Sequence, residues 1–222
     1  MPETTRYEAV ADISDRLLEV YLAQPEVAID VEMQGLRLQR DRVCLVQICD
    51  RKKNVCLVRP KGGQAPPNLK RLLTAPDTRK VFHFALTDIS FIRTSLGVDV
   101  ASYRCTKIMS KLARTYSDSH SLKTLVAELL GLELDKENQQ TNWAAPELTH
   151  EQLKYAANDV LHLLEVYDIL ERMLKARGSL PSGITAWDLN EQSQACLPTM
   201  VELVLNGYGD RDQGWETSLY AH

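Results

Sequence analysis

The sequence lacks three features that would each favour a particular class of protein: an excess of basic residues, paired cysteines and a long apolar run. Its 26 Lys and Arg residues stand against 30 Asp and Glu residues, which gives a net charge of −4. Proteins that hold long nucleic acids by their phosphates are usually basic overall or on one face. If this protein handles a nucleic acid, the contact should therefore be local and the ligand short.

Cysteine usage and hydropathy restrict the compartment and the kind of site. The five cysteines are odd in number and never form a Cys-x-x-Cys pair, so neither disulfides nor a zinc site is expected. No apolar run approaches the roughly 20 residues of a membrane span. The first residues also lack the basic start and apolar stretch of a signal peptide. The sequence thus predicts a cytoplasmic protein without membrane contact.

The order of strand-like and helix-like segments predicts an α/β fold. A chain of 222 residues with 44% apolar content suits one such domain with a tail better than two full domains. We expect a mixed five-stranded sheet flanked by helices, followed by a helical C-terminal extension. The predicted strands are 26–32, 43–49, 55–58, 80–84 and 98–104, and the predicted helices are 8–23, 69–73, 87–96, 106–114, 121–130, 149–176 and 187–205.

The boundary between the main domain and the tail is predicted after residue 177. A linker-like segment follows at 178–184. We therefore divide the chain into a domain at 1–177 and a helical tail at 178–222. The tail has an apolar face, which we expect to make contacts between subunits.

One predicted strand carries two carboxylates on the same face. Side chains alternate along a strand, so Val27, Ile29 and Val31 share one face while Asp30 and Glu32 share the other. A solvent-exposed sheet face would explain this pair equally well. The rest of the strand is apolar, however, as in a buried central strand, where two carboxylates repel each other unless a cation lies between them.

Three further residues become informative in combination. Asp88 follows an apolar strand and opens a helix, where a capping role would also explain it. Tyr155 and Asp159 are four residues apart in a predicted helix and share a face, although a packed tyrosine and a surface aspartate would explain them too. Together with Asp30 and Glu32, these aspartates supply the carboxylates that phosphodiester hydrolysis with two divalent ions requires. Their hard oxygen atoms suit Mg²⁺ or Mn²⁺.

In this order, Asp30-x-Glu32, Asp88 and Tyr155-x-x-x-Asp159 resemble the three motifs of the DEDDy 3′–5′ exonuclease family. The resemblance to its RNase D-like branch covers roughly residues 25–175. It implies a ribonuclease-H-like (DnaQ-like) fold. It also implies that the four acids are the metal ligands and that the tyrosine holds the attacking water.

A narrower resemblance is to nano-RNase C, a group of small RNase D-like enzymes. It rests on Arg40-Asp-Arg, Phe82-His-Phe and the run from Lys107 to Tyr116, and it covers nearly the whole chain. It implies a 3′–5′ exoribonuclease that degrades very short RNA, dinucleotides above all, to 5′-mononucleotides, and it leaves short DNA open as a substrate. It also implies a homo-oligomer in the form of an octameric ring.

Four residues at three places depart from the pattern of the RNase D-like branch. Met33 stands where a threonine is common, Ala85-Leu86 replaces an expected Gly-Arg pair, and Asn142 stands in place of an aspartate. All metal ligands are retained. The departures therefore put substrate contacts in doubt rather than the chemistry.

The resemblance implies a set of substrate contacts, and each has a structural alternative. A leucine just past the catalytic strand can wedge against bases or pack in the core. A histidine can contact the 3′ end or hold the strand end. A polar loop between helices can bind a 5′ phosphate or only join the helices, and a tryptophan can line the groove or pack. These residues are Leu36, His83, Arg114, Tyr116, His120, Lys136 and Trp143.

Three rival functions stay open from the sequence. The first is a general 3′–5′ exonuclease on longer RNA or DNA. RNase D proper carries additional RNA-binding domains, for which the roughly forty-five residues after 177 are too few. The second is a nucleic-acid-binding module with a degenerate site, which the complete set of motif residues disfavours. The third is a metal-dependent hydrolase of mononucleotides.

Overall fold

The computed structural model describes residues 7–134 and 141–208. In these ranges the chain forms a mixed six-stranded sheet in the order β1-β4-β3-β2-β5-β6, with helices on both faces. The strands are β1 (Ala9–Val10), β2 (Glu26–Met33), β3 (Val43–Cys49), β4 (Val55–Val58), β5 (Arg79–Phe82) and β6 (Tyr103–Cys105). The helices are α1 (Asp15–Leu22), α2 (Pro67–Thr74), α3 (Ala85–Leu96), α4 (Thr106–Ala113), α5 (Leu122–Leu130), α6 (His150–Leu161), α7 (Leu163–Ala176), α8 (Ala186–Ala195) and α9 (Leu197–Leu205).

The predicted α/β class with a mixed, helix-flanked sheet is confirmed, but the sheet has one strand more than the five predicted. The additional strand, β1, pairs in parallel with the end of β4. The apolar spacing over 8–23 predicted a helix there, and this was wrong for its first part. The helix starts only at Asp15, because the Ser14 hydroxyl caps it by accepting a hydrogen bond from the Leu17 backbone N–H.

Strand β2 lies in the interior of the sheet and carries Asp30 and Glu32. It pairs antiparallel with β3 and parallel with β5, and β5 pairs parallel with β6. Because these three parallel strands run in the same direction, β2, β5 and β6 all end at one edge of the sheet. The segments that follow them, including the start of α3 with Asp88, are thereby brought to the same edge.

The two faces of β2 meet different helices. Val27, Ile29 and Val31 are buried in a hydrophobic cluster with residues of α1, α2, α3 and α9. The opposite face is covered by α6 and α7, and its Ala28 belongs to a second cluster. The predicted alternation along this strand is therefore present in the fold.

Three predicted elements have different extents in the structure. The helix predicted over 187–205 is two helices, α8 and α9, which are separated at Cys196. The helix predicted over 149–176 is two helices, α6 and α7, which are separated at His162, whose backbone (φ −110, ψ −1) leaves the regular helical geometry. The strand predicted over 98–104 is reduced to β6. Val98 and Val100 are buried in the core from a loop instead, so their apolar character reflects packing rather than strand pairing.

The helices that follow residue 177 pack onto the rest of the chain. Helix α8 contacts α4 and α7, and α9 contacts α3. Leu197 and Val201 join the cluster on one face of the sheet, and Ala186 joins the cluster on the other. The first part of the predicted tail thus completes the core, and its role in subunit contacts stays a prediction. Within the described ranges no helix combines the length and the hydropathy needed to cross a bilayer.

Candidate active site

Three carboxylates converge between the sheet and α6. Asp30 and Glu32 of β2 and Asp159 of α6 each present one oxygen atom, and these three oxygens lie within 4.8 Å of one another. The convergence follows from the fold, because α6 packs across β2, β3 and β4. Ala156 and Ala157 are buried on the inner side of α6, and such small side chains allow a helix to approach a sheet closely.

Asp88 adjoins this cluster from the first turn of α3. Its side chain is 5% exposed, and its Oδ2 atom has no hydrogen-bond partner. Burial, followed by the charge of Asp30, raises the pKa of Asp88. Burial and the charges of Asp30 and Asp159 raise the pKa of Glu32, and the charge of Asp88 adds to that rise. The structure thus brings all four predicted carboxylates together, three of them in direct proximity and Asp88 beside them.

All four carboxyl groups have raised pKa values. Burial is the largest cause for each. The charge of Asp159 further raises the pKa of Asp30, and the pKa of Asp159 itself is raised to about 7. Within residues 7–134 and 141–208, no basic side chain lowers any of these four values. The cluster therefore has an excess of negative charge that only a bound cation or protonation can relieve.

The donor atoms of this cluster fit a hard divalent cation. The three converging groups are all carboxylates, and the unpartnered Oδ2 of Asp88 offers a further acceptor. Oxygen ligands suit Mg²⁺ and Mn²⁺, whereas zinc sites rely mainly on nitrogen and sulfur. The residues present can therefore hold divalent metal ions.

Tyr155 lies one helical turn before Asp159, on the same side of α6. Burial, followed by the charges of Asp159, Glu32 and Asp30, raises the pKa of its hydroxyl far above the ordinary value. The hydroxyl interacts with the Asp159 carboxylate and opposes the rise in the pKa of that group. Tyr155 therefore stays protonated and acts as a hydrogen-bond donor at neutral pH.

Gln47 faces the same site, and sequence reasoning assigned it no role. It lies on β3 directly opposite Asp30 in the antiparallel pair and is fully buried. Both polar atoms of its side-chain amide lack a hydrogen-bond partner, which is unfavourable in a protein interior. The available signal was a lone polar residue in the otherwise apolar run 43–49.

Leu36 is presented to solvent by the loop that follows β2, and it is 55% exposed. The Asp41 carboxylate folds this loop, because it accepts hydrogen bonds from the Arg37 backbone N–H at 2.9 Å and from the Arg40 guanidinium. A Cβ atom on Gly35 would collide with that carboxylate, so a larger residue there would displace Asp41 from these hydrogen bonds. The leucine is thus at the edge of the sheet where β2 ends, and not in the core.

His83 directly follows β5 and is held by the start of α4. Its Nδ1 atom lies 2.9 Å from the Thr106 hydroxyl oxygen. Burial and the nearby Lys107 ammonium lower its pKa to about 4. The ring is therefore neutral at physiological pH, and a hydrogen bond with the His120 backbone also holds it in place.

Arg114, Tyr116 and His120 form one hydrogen-bonded cluster. The Arg114 guanidinium is fully buried, and its Nε donates to Glu128 at 3.1 Å. The Tyr116 hydroxyl donates to the same carboxylate at 2.7 Å, and His120 Nδ1 lies 2.8 Å from the Ser110 hydroxyl. Arg114 is thus engaged within the protein, whereas Tyr116 is 69% exposed and remains available to a ligand.

Trp143 and Lys136 complete the predicted contacts. Trp143 is 3% exposed, and its ring centroid is 6.2 Å from that of Tyr155. Its indole N–H has no hydrogen-bond partner. Trp143 thus packs beside the site rather than on an open surface. Lys136 lies outside the described residues.

Comparison with known proteins places these features in a family. A sequence model described as a 3′-5′ exonuclease matches residues 7–175. Ribonuclease D of Gluconacetobacter diazotrophicus is 32% identical over 157 residues, which are 71% of this chain and 40% of that protein. The chain therefore spans less than half the length of this curated relative.

Two solved structures of Brucella melitensis NrnC match over almost their full length. The form with bound Mg²⁺ is 34% identical, with a TM-score of 0.80 and coverage of 96% of both chains. The form bound to pGG is 35% identical, with a TM-score of 0.81 and coverage of 96% of this chain and 95% of that one. These matches confirm the resemblance to the RNase D-like branch and to nano-RNase C.

Proposed function

The chain belongs to the 3′–5′ exonuclease family, and we propose that it is a metal-dependent exoribonuclease that hydrolyses very short RNA, preferentially dinucleotides, to 5′-mononucleotides. The observation that carries this proposal is the convergence of Asp30, Glu32 and Asp159 within 4.8 Å, with Asp88 beside them. Burying so much like charge is unfavourable unless a ligand compensates for it.

Asp30, Glu32, Asp88 and Asp159 would hold two divalent ions, Mg²⁺ or Mn²⁺. When bound, such ions lower the pKa of a water molecule and stabilise the negative charge that develops on the phosphate and the leaving oxygen. The protein contributes fixed carboxylates on rigid elements and a partly closed, low-dielectric surrounding.

Tyr155 would position the attacking water. Its raised pKa keeps the hydroxyl protonated, so it is unsuited to act as a general base at neutral pH. A protonated hydroxyl beside Asp159 can instead hydrogen-bond a water molecule and fix its approach to the phosphorus. We therefore assign Tyr155 as a positioning group and not as the source of acidity.

The preference for short RNA is supported by the similarity to NrnC, one structure of which is bound to pGG. This chain is 35% identical to that structure and covers 95% of it. The net charge of −4 also disfavours a grip on long RNA. Cleavage of short DNA and a cytoplasmic location stay predictions.

Substrate contacts are proposed at the sheet edge where β2 and β5 end. Leu36, exposed there, would wedge against a base, and neutral His83 would hydrogen-bond the 3′-terminal nucleotide. Tyr116 and His120 would contact the 5′ phosphate. Arg114 would support that pocket through Glu128, and Trp143 would back Tyr155.

Assembly into a homo-oligomer, an octamer by family resemblance, is proposed for this chain. The segment 178–222 would provide the contacts between subunits, and the exonuclease domain would correspond to 1–177. Light scattering tests this directly, and a monomeric mass would refute it.

The test of function is a time course on 5′-labelled RNAs of two to seven nucleotides with Mg²⁺ or Mn²⁺ and an EDTA control. We expect fast loss of the dinucleotide and slow loss of longer chains. Even, stepwise trimming of all lengths would make the protein a general exoribonuclease. Hydrolysis of mononucleotides in preference to dinucleotides, or no metal-dependent cleavage at all, would refute the proposal.

A further inference from the structure

Phe84 combines exposure with an unfavourable backbone conformation. It lies between β5 and α3 and is 42% exposed, although large apolar side chains are usually buried. Its backbone is left-handed (φ 74, ψ 45), a region that bulky residues rarely adopt and that glycine occupies without strain. Residues held in such conformations cluster at functional sites. An exposed aromatic at this position therefore calls for an explanation other than packing.

The Phe84 ring is paired with a cation. The Lys107 ammonium lies over the ring, 3.9 Å from its centroid, in a cation–π arrangement. Lys107 belongs to the first turn of α4, so the pair joins the segments that follow β5 and β6. The two side chains together present an aromatic ring and a positive charge within a few ångströms of each other.

This pair borders the carboxylate cluster. Ala28 of β2 pairs with Val81 of β5, and Asp30 and His83 each follow two residues further along. Phe84 is the next residue, and Asp88 lies one turn into the helix that starts after it. The exposed Phe84 and the half-buried Lys107 thus lie at the same sheet edge as the proposed catalytic carboxylates.

We propose that Phe84 is a substrate-binding residue that stacks on one nucleobase of the substrate, while Lys107 contacts a phosphate of the same substrate. The inference rests on the proposed action on short RNA. Aromatic rings bind bases of any identity through their π-faces, and an ammonium group supplies the charge that a phosphate requires. A ring with an adjacent cation therefore matches the two chemical parts of a nucleotide.

The proposal is tested by calorimetric binding to Mg²⁺-loaded protein of an RNA dinucleotide with a non-hydrolysable linkage, and of two analogues that lack the 5′ or the 3′ base. We expect Phe84→Ala to weaken binding of the intact ligand about 5- to 150-fold, which corresponds to the loss of one stacked base. Against the analogue that lacks the stacked base, the same variant should bind within about twofold of wild type. Phe84→Tyr should retain affinity for the intact ligand.

A second readout separates stacking from a structural role. Phe84→Gly should weaken binding as Phe84→Ala does, yet melt at the wild-type temperature or above, because glycine relieves the left-handed strain. Leu132→Ala serves as the control, since Leu132 is a large apolar side chain exposed to a similar extent just after the end of α5, and it should leave both readouts unchanged.

The outcomes discriminate between the proposals. If Phe84→Ala binds the intact ligand as wild type does, or weakens all three ligands equally, Phe84 does not stack on a base, and the proposed function is unaffected. A change in oligomeric mass in the Phe84 variants would also overturn the inference, because it would assign the ring to a contact between copies. If wild-type protein neither binds nor cuts dinucleotides, the proposed function fails and this inference fails with it.

Discussion

The two faces of β2 differ in how completely their side chains are satisfied. On one face Val27 and Ile29 are fully buried among apolar neighbours. On the other face Asp30 and Glu32 are held with raised pKa values, and the Gln47 amide opposite Asp30 has no partner. A strand selected for stability alone would place apolar residues on both faces. We infer from this difference that the apolar face of β2 stabilises the fold. The face with Asp30 and Glu32 holds groups whose burial is unfavourable unless a ligand is bound.

The largest effect is expected when a carboxylate on this face of β2 is neutralised. Asp30→Asn should lower the rate of dinucleotide hydrolysis in Mg²⁺ at least about a thousandfold, because loss of a metal ligand removes several kcal/mol of transition-state stabilisation. In EDTA the variant should melt higher than wild type, since repulsion with Asp159 is relieved. Initial rates and thermal denaturation measure both effects. The exposed Asp77→Asn is the control, and a wild-type rate for Asp30→Asn would refute the proposed site.

The opposite change truncates the apolar face. Ile29→Ala should lower the free energy of unfolding by about 2–5 kcal/mol, because it removes buried methylene groups and leaves a cavity. Hydrolysis by the folded fraction should keep its KM and kcat. Urea denaturation and steady-state kinetics at low temperature measure this. If Ile29→Ala altered KM or kcat without altering stability, the division of labour between the faces would be wrong.

Removal of the Tyr155 hydroxyl sharpens the contrast within the carboxylate face. Tyr155→Phe should slow hydrolysis roughly ten- to a hundredfold, because a positioning hydrogen bond to the attacking water is lost. Mg²⁺ affinity should stay at the wild-type value, since all four carboxylates remain. Calorimetric titration of Mg²⁺ beside kcat separates the two quantities. A parallel loss of metal affinity would assign Tyr155 to the metal site instead.

Proton uptake provides a test that needs no substitution. The pKa of Asp159 is about 7 in the folded protein and 3.8 ordinarily, so between these values the folded state binds more protons than the unfolded state. The free energy of unfolding in EDTA should therefore fall as pH rises from about 4 to 7, by roughly 4 kcal/mol from Asp159 alone. The raised pKa values of Asp30, Glu32 and Asp88 act in the same direction. Saturating Mg²⁺ should abolish this loss. Stability that rises over this range in EDTA would contradict the raised pKa.

The smallest expected effect concerns the unpartnered amide. Gln47→Leu should raise the free energy of unfolding of the metal-free protein by about 1 kcal/mol, because it replaces an unsatisfied buried amide with an apolar group of similar size. Gln194 provides a matched control. It is equally buried, but its amide exchanges hydrogen bonds with the Cys105 backbone N–H and C=O, so Gln194→Leu should be destabilising. Equal effects of the two substitutions would mean that Gln47 is satisfied in solution.

Much of the fold could be predicted because local patterns determine it. The alternation in β2 places the carboxylates on one face, and the spacing of Tyr155 and Asp159 survives the division of the predicted long helix because both lie in α6. The division itself was missed because apolar periodicity continues through His162. The short β1 was missed because it depends on pairing with β4, which is remote in sequence.

The site could be predicted only in part, for a related reason. Aspartate and glutamate can bind a metal ion in any fold. An ordered set of these residues therefore indicates a metal site even without a structure. The unpartnered amide of Gln47 and the left-handed backbone of Phe84 depend on the surrounding tertiary structure. They therefore cannot be predicted from the type of residue alone. Likewise, the sequence predicts Arg114 as a phosphate ligand, but in the fold its side chain is buried against Glu128.

The most direct test of the account is the rate at which an RNA dinucleotide is converted to 5′-mononucleotides as Mg²⁺ is titrated into EDTA-treated protein. If the buried carboxylates hold the catalytic ions, there should be no conversion without metal and a saturable rise as Mg²⁺ is added. Conversion that persists at the same rate in EDTA, or no conversion at any Mg²⁺ or Mn²⁺ concentration, would contradict the assignment of this face as the active site.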